Sequence, residues 1–180
     1  RNEDITMKTA IYGAGSLGTV LGAYLSKAGV DVDLITRNKE HVDAMNKDGA
    51  KIIGTVNMTV PVHALTPDQM TEKYELIILL TKQLDNENIL RNLENNMTDD
   101  CIVCTLQNGL PELSVSKVVG EDRTMGCTVA WGATLHGKGV SELTSEPDSM
   151  SFGLGRMNGK KDEKLMQVKA LLEKMCPVEI

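Results

Sequence analysis

No apolar stretch approaches the roughly 18 residues that a bilayer-spanning helix needs, and no run of basic residues occurs anywhere in the chain. The first absence argues against a membrane-spanning helix. The second, together with a net charge of −6, argues against nucleic acid or an anionic membrane surface as a partner. Internal repeats, low-complexity tracts and linkers are also missing, so the 180 residues, 41% hydrophobic and 24% charged, read as one soluble globular domain over 7–180. No signal peptide precedes the first predicted strand, which makes the cytoplasm the expected location. Residues 1–6, ahead of Met7, read as a short leader or an expression remnant.

The four cysteines do not form a redox or metal pattern. Cys101 and Cys104 fall in an extended apolar segment, where residues three apart point to opposite faces of a sheet and the thiols diverge. A reactive pair would need a helix N-terminus to lower a thiol pKa. Buried, reduced thiols and no metal are the expectation. The ten methionines and Trp131 read as packing residues.

What is present begins at residue 8. A short apolar strand runs into Gly13-x-Gly15-x-x-Gly18 and then into a helix whose Leu17, Val20, Leu21, Tyr24, Leu25 and Ala28 form one apolar stripe, with Gly29 as the stop. In a strand-turn-helix of this kind the first glycine allows the tight turn, the second lets backbone approach a pyrophosphate, and the third lets helix pack close to strand. Phosphates would then meet free N–H groups at the helix start. After the second strand, 30–36, enzymes that use NAD place an acid about 20 positions beyond the motif to hold the ribose hydroxyls. This sequence has Arg37 followed by Asn38 and Lys39. A guanidinium suits a phosphate and an acid would repel one, so NADP(H) is predicted over NAD(H).

Strands and helices keep alternating, which predicts an α/β, Rossmann-type doubly wound, mostly parallel sheet. A helix over 39–47 is followed by a half-exposed strand or hairpin over 53–62. Buried strands are predicted over 76–80, 101–106 and 124–130, with a helix carrying Ile89, Leu90 and Leu93 and another over 111–119. The runs 139–143 and 149–154, separated by Pro147-Asp148, read as an added antiparallel hairpin. A charged helix over 161–175 carries Leu165, Val168, Leu171 and Leu172.

In open parallel sheets a ligand lies outside the carboxyl ends of the strands. Three predicted strand ends bear polar residues: the glycine turn, Thr81-Lys82-Gln83, and Gln107-Asn108-Gly109. Taken together, Gly13-Ala-Gly-Ser-Leu-Gly18, Arg37, Thr81-Lys82 and Leu106-Gln-Asn-Gly109 make the sequence resemble the N-terminal half of the ketopantoate reductase (2-dehydropantoate 2-reductase) family over 7–180. The resemblance implies that Gly13, Ala14, Gly15, Ser16, Leu17 and Gly18 hold the pyrophosphate and Arg37 the 2′-phosphate of NADP(H). It also implies that Thr81 and Lys82 contact the cofactor, Lys82 near the nicotinamide ribose. Asn108 would lie beside the nicotinamide and help fix a small 2-oxo acid, and Gly132 would supply a further cofactor contact. Lys82 and Asn108 are thus the expected catalytic residues of this chain.

The sequence departs from the family at Asp85, where many relatives have glutamine. Family members continue into an all-helical C-terminal domain that supplies the general-acid lysine, and the present sequence stops where that domain begins. The expectation is therefore an NADPH-dependent reduction of 2-dehydropantoate to pantoate of which this chain is the cofactor-binding domain. By itself it would bind NADPH weakly, turn over negligibly and form homo-oligomers through the apolar surface left uncovered. Two rival readings are reduction of a different 2-oxo acid on the same scaffold and an NADP-binding regulatory or redox-sensing module without catalysis. Of the three histidines, His41 and His63 are expected on the surface and His136 in a solvent-facing loop near the cleft.

Overall fold

In chain order the elements are β1 (Thr9–Tyr12), α1 (Ser16–Lys27), β2 (Val32–Ile35), α2 (Lys39–Asp48), β3 (Ala50–Gly54), β4 (Met58–Val60) and β5 (His63–Leu65). They continue as β6 (Tyr74–Leu79), α3 (Asn86–Asn92), β7 (Met97–Thr105), α4 (Pro111–Val119), β8 (Thr124–Ala130) and β9 (Ala133–Gly137). The chain closes with β10 (Val140–Leu143), β11 (Ser151–Gly155), α5 (Glu163–Leu172) and β12 (Val178–Glu179). The computed structural model describes residues 7–81, 86–106 and 111–180.

The large sheet has the order β12-β11-β8-β7-β6-β1-β2-β5. From β8 to β5 all neighbours pair in parallel. The strand β11 is antiparallel to β8, and β12 follows β11 in parallel. Because β1 lies between β2 and β6, the chain leaves it in one direction and returns on its other side, which opens a crevice at the carboxyl ends of these three strands. The strand β6 can occupy such a central place because Leu76, Ile77, Ile78 and Leu79 are all fully buried, a continuous apolar run that satisfies both faces. Alternation divides these side chains between two cores. Ile11, Leu34, Ile78 and Cys104 pack with α1 and α5, whereas Ala10, Ile77, Leu79 and Cys101 pack with Leu90 of α3 and Val115 of α4. The two thiols of Cys101 and Cys104 thus diverge as the spacing predicts.

A second sheet, β4-β3-β10-β9, packs on the outer side of α1. Sandwiched between two sheets, α1 is buried at Gly18, Thr19, Val20, Leu21, Gly22, Ala23 and Leu25, more than one amphipathic face. At its end Gly29, with φ +88°, takes the left-handed conformation, and the bonds Gly29 N–H to Ser26 O and Val30 N–H to Leu25 O close a Schellman motif.

The segment 53–62 forms the hairpin side of this sheet through β3 and β4. The runs 139–143 and 149–154 do not form the expected hairpin. Gly137, Lys138 and Gly139 all have positive φ and reverse the chain, so β10 pairs antiparallel with β9 and parallel with β3. Pro147–Ser149 is a single 3₁₀ turn that carries the chain back to the large sheet, where β11 pairs with β8. Helix α5 buries the four predicted leucine and valine positions, and Asp162 caps it by accepting from Leu165 N–H while Arg156 holds the same carboxylate. Among the described residues no helix is long and apolar enough to cross a membrane.

Candidate functional site

The turn after β1 is pinned from below. Gly13 and Ala14 N–H both donate to Ile35 O, at 2.9 and 2.8 Å, and Gly15 N–H donates back to Gly13 O at 2.8 Å. Gly13 has φ +104°, and a Cβ there would stand 2.9 Å from Thr81 N, so the turn passes hard against the end of β6. Gly15 differs: an added Cβ would meet nothing within 4 Å. This is the arrangement a pyrophosphate requires, with open space beside bare backbone. Among the described residues no side chain caps α1. Its leading N–H groups, which have no partner within the helix, open on the same space with the positive end of the helix dipole behind them. Gly18 completes the motif by letting α1 approach Gly13 O and Ile11 to about 3.1 Å of its would-be Cβ.

Beside this turn, at the carboxyl ends of β1, β2 and β6, lies a cavity of about 420 Å³. Its apolar walls are Tyr12, Ile35, Pro67 and Ile89, and Gly13, Thr36, Arg37, Thr81, Asn88 and Asn92 complete the lining. Flat apolar walls with a few polar groups suit an aromatic base and its sugar. None of the described lining residues is acidic. Burial raises the Tyr12 phenol pKa, and the Arg37 guanidinium beside it works in the opposite direction. That proximity places the exposed cation of Arg37 at the lip of the cavity.

Gly13, Arg37 and Thr81 therefore share one cavity, with Gly15, Ser16, Leu17 and Gly18 on the adjoining turn. Ala14 is fully buried and serves the turn through its backbone. Gly132 stands at the same edge of the sheet, between β8 and β9. Its N–H donates to Ser145 Oγ at 2.9 Å and its C=O accepts from Thr144 N–H at 3.0 Å, and it does not line the cavity. Lys82 and Asn108, with Gln83, Asp85, Gln107 and Gly109, lie outside the described residues.

His41 corrects the sequence reading. Instead of lying on the surface it is fully buried, with Nε2 2.9 Å from Thr19 Oγ1 and Nδ1 accepting Gly139 N–H at 2.8 Å. Burial lowers its pKa, so the neutral ring is favoured. The misreading came from the polar composition of α2. The signal that could have found it is the pairing of position 41 with Val42 and Met45, which together are the buried positions of that helix. His136 is likewise not in a loop: it lies in β9, exposed, and its Nε2 is 2.8 Å from Glu142 Oε1 across the β9–β10 pair. His63 is on the surface as expected, with Nδ1 2.6 Å from Asp33 Oδ1. Trp131 packs edge-on against Phe152 at 5.9 Å between ring centres.

All four cysteines are buried and unpaired. Burial pushes the Cys101 thiol up to about 12 and Cys176 up to about 11. Hydrogen bonding with Cys127, together with burial, raises Cys104. Among the described residues no group of three histidine, cysteine or acidic side chains could hold a metal ion.

The family model for ketopantoate reductase PanE/ApbA matches residues 9–156. A 2-dehydropantoate 2-reductase of Streptococcus pyogenes serotype M3 (strain ATCC BAA-595 / MGAS315) is 31% identical over 139 residues, covering 76% of this chain and 45% of the relative. Among solved structures, the ternary complex of D-mandelate dehydrogenase with NADH and anilino(oxo)acetate superposes with a TM-score of 0.84 at 26% identity, over 96% of this chain and 56% of that one. The 2-dehydropantoate 2-reductase of Geobacter metallireducens GS-15 shares the fold with the same TM-score at 21% identity, over 95% of this chain and 56% of that one. The chain thus spans about half the length of the relatives it matches. With the glycine turn, the crevice at the β1 switch point and a matching family model over most of its length, the chain belongs to the ketopantoate reductase PanE/ApbA family.

Proposed function

We propose that this chain is the cofactor-binding part of an NADPH-dependent reductase that converts 2-dehydropantoate to pantoate. The observation that carries the reading is Arg37 at the lip of the cavity that adjoins the glycine turn, with no acid among the described lining residues. Tyr12, Ile35 and Ile89 would hold the adenosine, Arg37 the phosphate on its ribose, and Gly15 with the start of α1 the diphosphate. A guanidinium there favours a 2′-phosphate through paired, charge-assisted hydrogen bonds. NADPH held there would supply the hydride for the keto carbon, and a general acid would supply the proton that turns its oxygen into the hydroxyl. Lys82 and Asn108, by family resemblance, follow the ends of β6 and β7 on the nicotinamide side, where a cation and an amide would stabilise the developing alkoxide and orient the oxo acid. The 2-dehydropantoate 2-reductases among the relatives support that substrate.

A second reading keeps the reaction and changes the acid. The likeness to D-mandelate dehydrogenase, a 2-hydroxy acid enzyme whose structure holds NADH, favours it.

Fluorescence titration with NADPH and NADH, in the wild type and in Arg37→Ala, tests the cofactor assignment. The substitution is expected to cost NADPH about 1 to 3 kcal/mol and leave NADH nearly unchanged. Equal losses for both cofactors, or a wild type that prefers NADH, would remove the phosphate role of Arg37. Assay of the full-length reductase on 2-dehydropantoate and on benzoylformate, the oxo acid of mandelate, separates the two substrate readings.

A further inference from the structure

His41 stands outside the cavity, yet a chain of hydrogen bonds runs from it to the glycine turn. A backbone N–H can only donate, so the 2.8 Å contact from Gly139 makes Nδ1 an acceptor. The one proton of a neutral ring then sits on Nε2, 2.9 Å from Thr19 Oγ1, and donates to it. Since Nε2 carries a proton and cannot accept another, the Thr19 hydroxyl turns its own proton to Ala14 O, 3.5 Å away. Ala14 is the residue between the first two glycines of the turn, and its N–H is already held by Ile35 O. Both polar groups of that residue are therefore engaged, the N–H closely by the sheet below and the C=O by a longer contact from Thr19, which His41 orients. His41 and Thr19 are each fully buried, so water does not compete for these bonds. A second tie runs alongside: the buried Ser141 of β10 donates from Oγ to Ser16 O, the first residue of α1, at 2.9 Å.

We infer that His41 is a positioning residue for dinucleotide binding. Through Thr19 it presets the Ala14 backbone, and with it the open space at Gly15, using the β9–β10 turn of the small sheet as its anchor. The inference rests on the dinucleotide reading of the glycine turn. It assigns a role in affinity to a side chain that touches no cofactor atom, and it gives the small sheet a task beyond covering α1. The diphosphate is common to both cofactors, so the role is blind to the 2′-phosphate.

The experiment measures NADPH and NADH affinity and thermal stability in parallel for the wild type, His41→Leu, Thr19→Val, the double variant and His41→Gln. His41→Leu and Thr19→Val should each weaken NADPH and NADH by the same factor, about five- to tenfold. The double variant should lose no more than the worse single one, since both changes break one relay. A glutamine, able to accept from Gly139 and donate to Thr19, should bring affinity back to within about twofold of wild type. Ring ¹⁵N spectra should place the proton on Nε2. Should His41→Leu fail to fold, Thr19→Val, which removes only a hydroxyl, carries the test. Variants that lose thermal stability but bind both cofactors as tightly as wild type, losses that add, or a proton found on Nδ1 would each overturn the inference. A wild type that binds neither cofactor would instead overturn the dinucleotide reading beneath it.

Discussion

Gly13 and Thr81 approach so closely that a Cβ on the glycine would stand 2.9 Å from the threonine's backbone nitrogen. The contact joins the phosphate turn to the end of β6, and a side chain there meets both a backbone clash and a left-handed φ. Gly13→Ala should therefore destabilise the fold by about 1 to 3 kcal/mol as well as weaken cofactor binding. Gly15→Ala should separate the two effects, because its new methyl enters open space. Thermal unfolding is expected near the wild-type midpoint while titration shows dinucleotide affinity lost. Retained affinity in Gly15→Ala would mean that the diphosphate lies elsewhere.

Stability should fall on mild acidification through His41. Burial holds its folded pKa below the ordinary 6.5, whereas the unfolded chain takes up a proton near that value. Between the two values the unfolded state binds more protons, so stability rises with pH in that window. The contribution is complete above about 6.5 and is lost as pH drops toward the folded pKa. Urea unfolding at pH 7.5 and pH 5.5 should show a larger loss for the wild type than for His41→Gln, and parallel behaviour of the two would contradict the assignment.

At the opposite, amino edge of the large sheet, Tyr74 Oη donates to Asp33 Oδ2 at 2.5 Å, and His63 holds the other carboxylate oxygen. Burial and this bond raise the Tyr74 pKa and keep it a donor. Tyr74→Phe should leave a nearly buried carboxylate oxygen unpaired and cost about 1 to 3 kcal/mol. Cofactor affinity should not change, since Arg37 and the glycine turn lie at the other end of these strands. Chemical denaturation and NADPH titration of the same variant check both halves.

The thiols should resist modification. With Cys101 pushed up to about 12 and Cys176 to about 11, little thiolate exists at pH 8, and burial blocks access. A disulfide-exchange reagent should titrate the native protein slowly and all four cysteines rapidly once it is unfolded. One fast equivalent in the native state would show a reactive cysteine.

Local chemistry made much of this legible from residues alone. The strand–glycine–helix unit, the buried run at 76–79 and the leucine spacing of α5 all follow from neighbours in sequence, so periodicity reports them. Pairing between distant segments does not leave such a trace. The strands that begin at Val140 and Ser151 follow one another directly in the chain, yet they enter different sheets, because the Gly137–Gly139 reversal claims the first for β9. The clue to the small sheet was present in α1, which carries only Ser16, Thr19, Ser26 and Lys27 as side-chain hydrogen-bonding residues besides Tyr24 and so has no face fit for water. His41 was hidden for the converse reason: a polar side chain among charges looks solvated until its partners, Thr19 and Gly139, arrive from elsewhere in the chain. The cavity walls Pro67, Ile89 and Asn92 come from segments that become neighbours only when β5 and β6 flank β2 and β1.

The parallel pairing of Lys51 with Val140 bears on how the protein comes to its working form. Closing so long a loop carries an entropic cost that the intervening strands must first offset by assembling. The small sheet that covers α1 should thus arrive late during refolding, and far-ultraviolet ellipticity should recover ahead of the ability to quench or enhance nucleotide fluorescence.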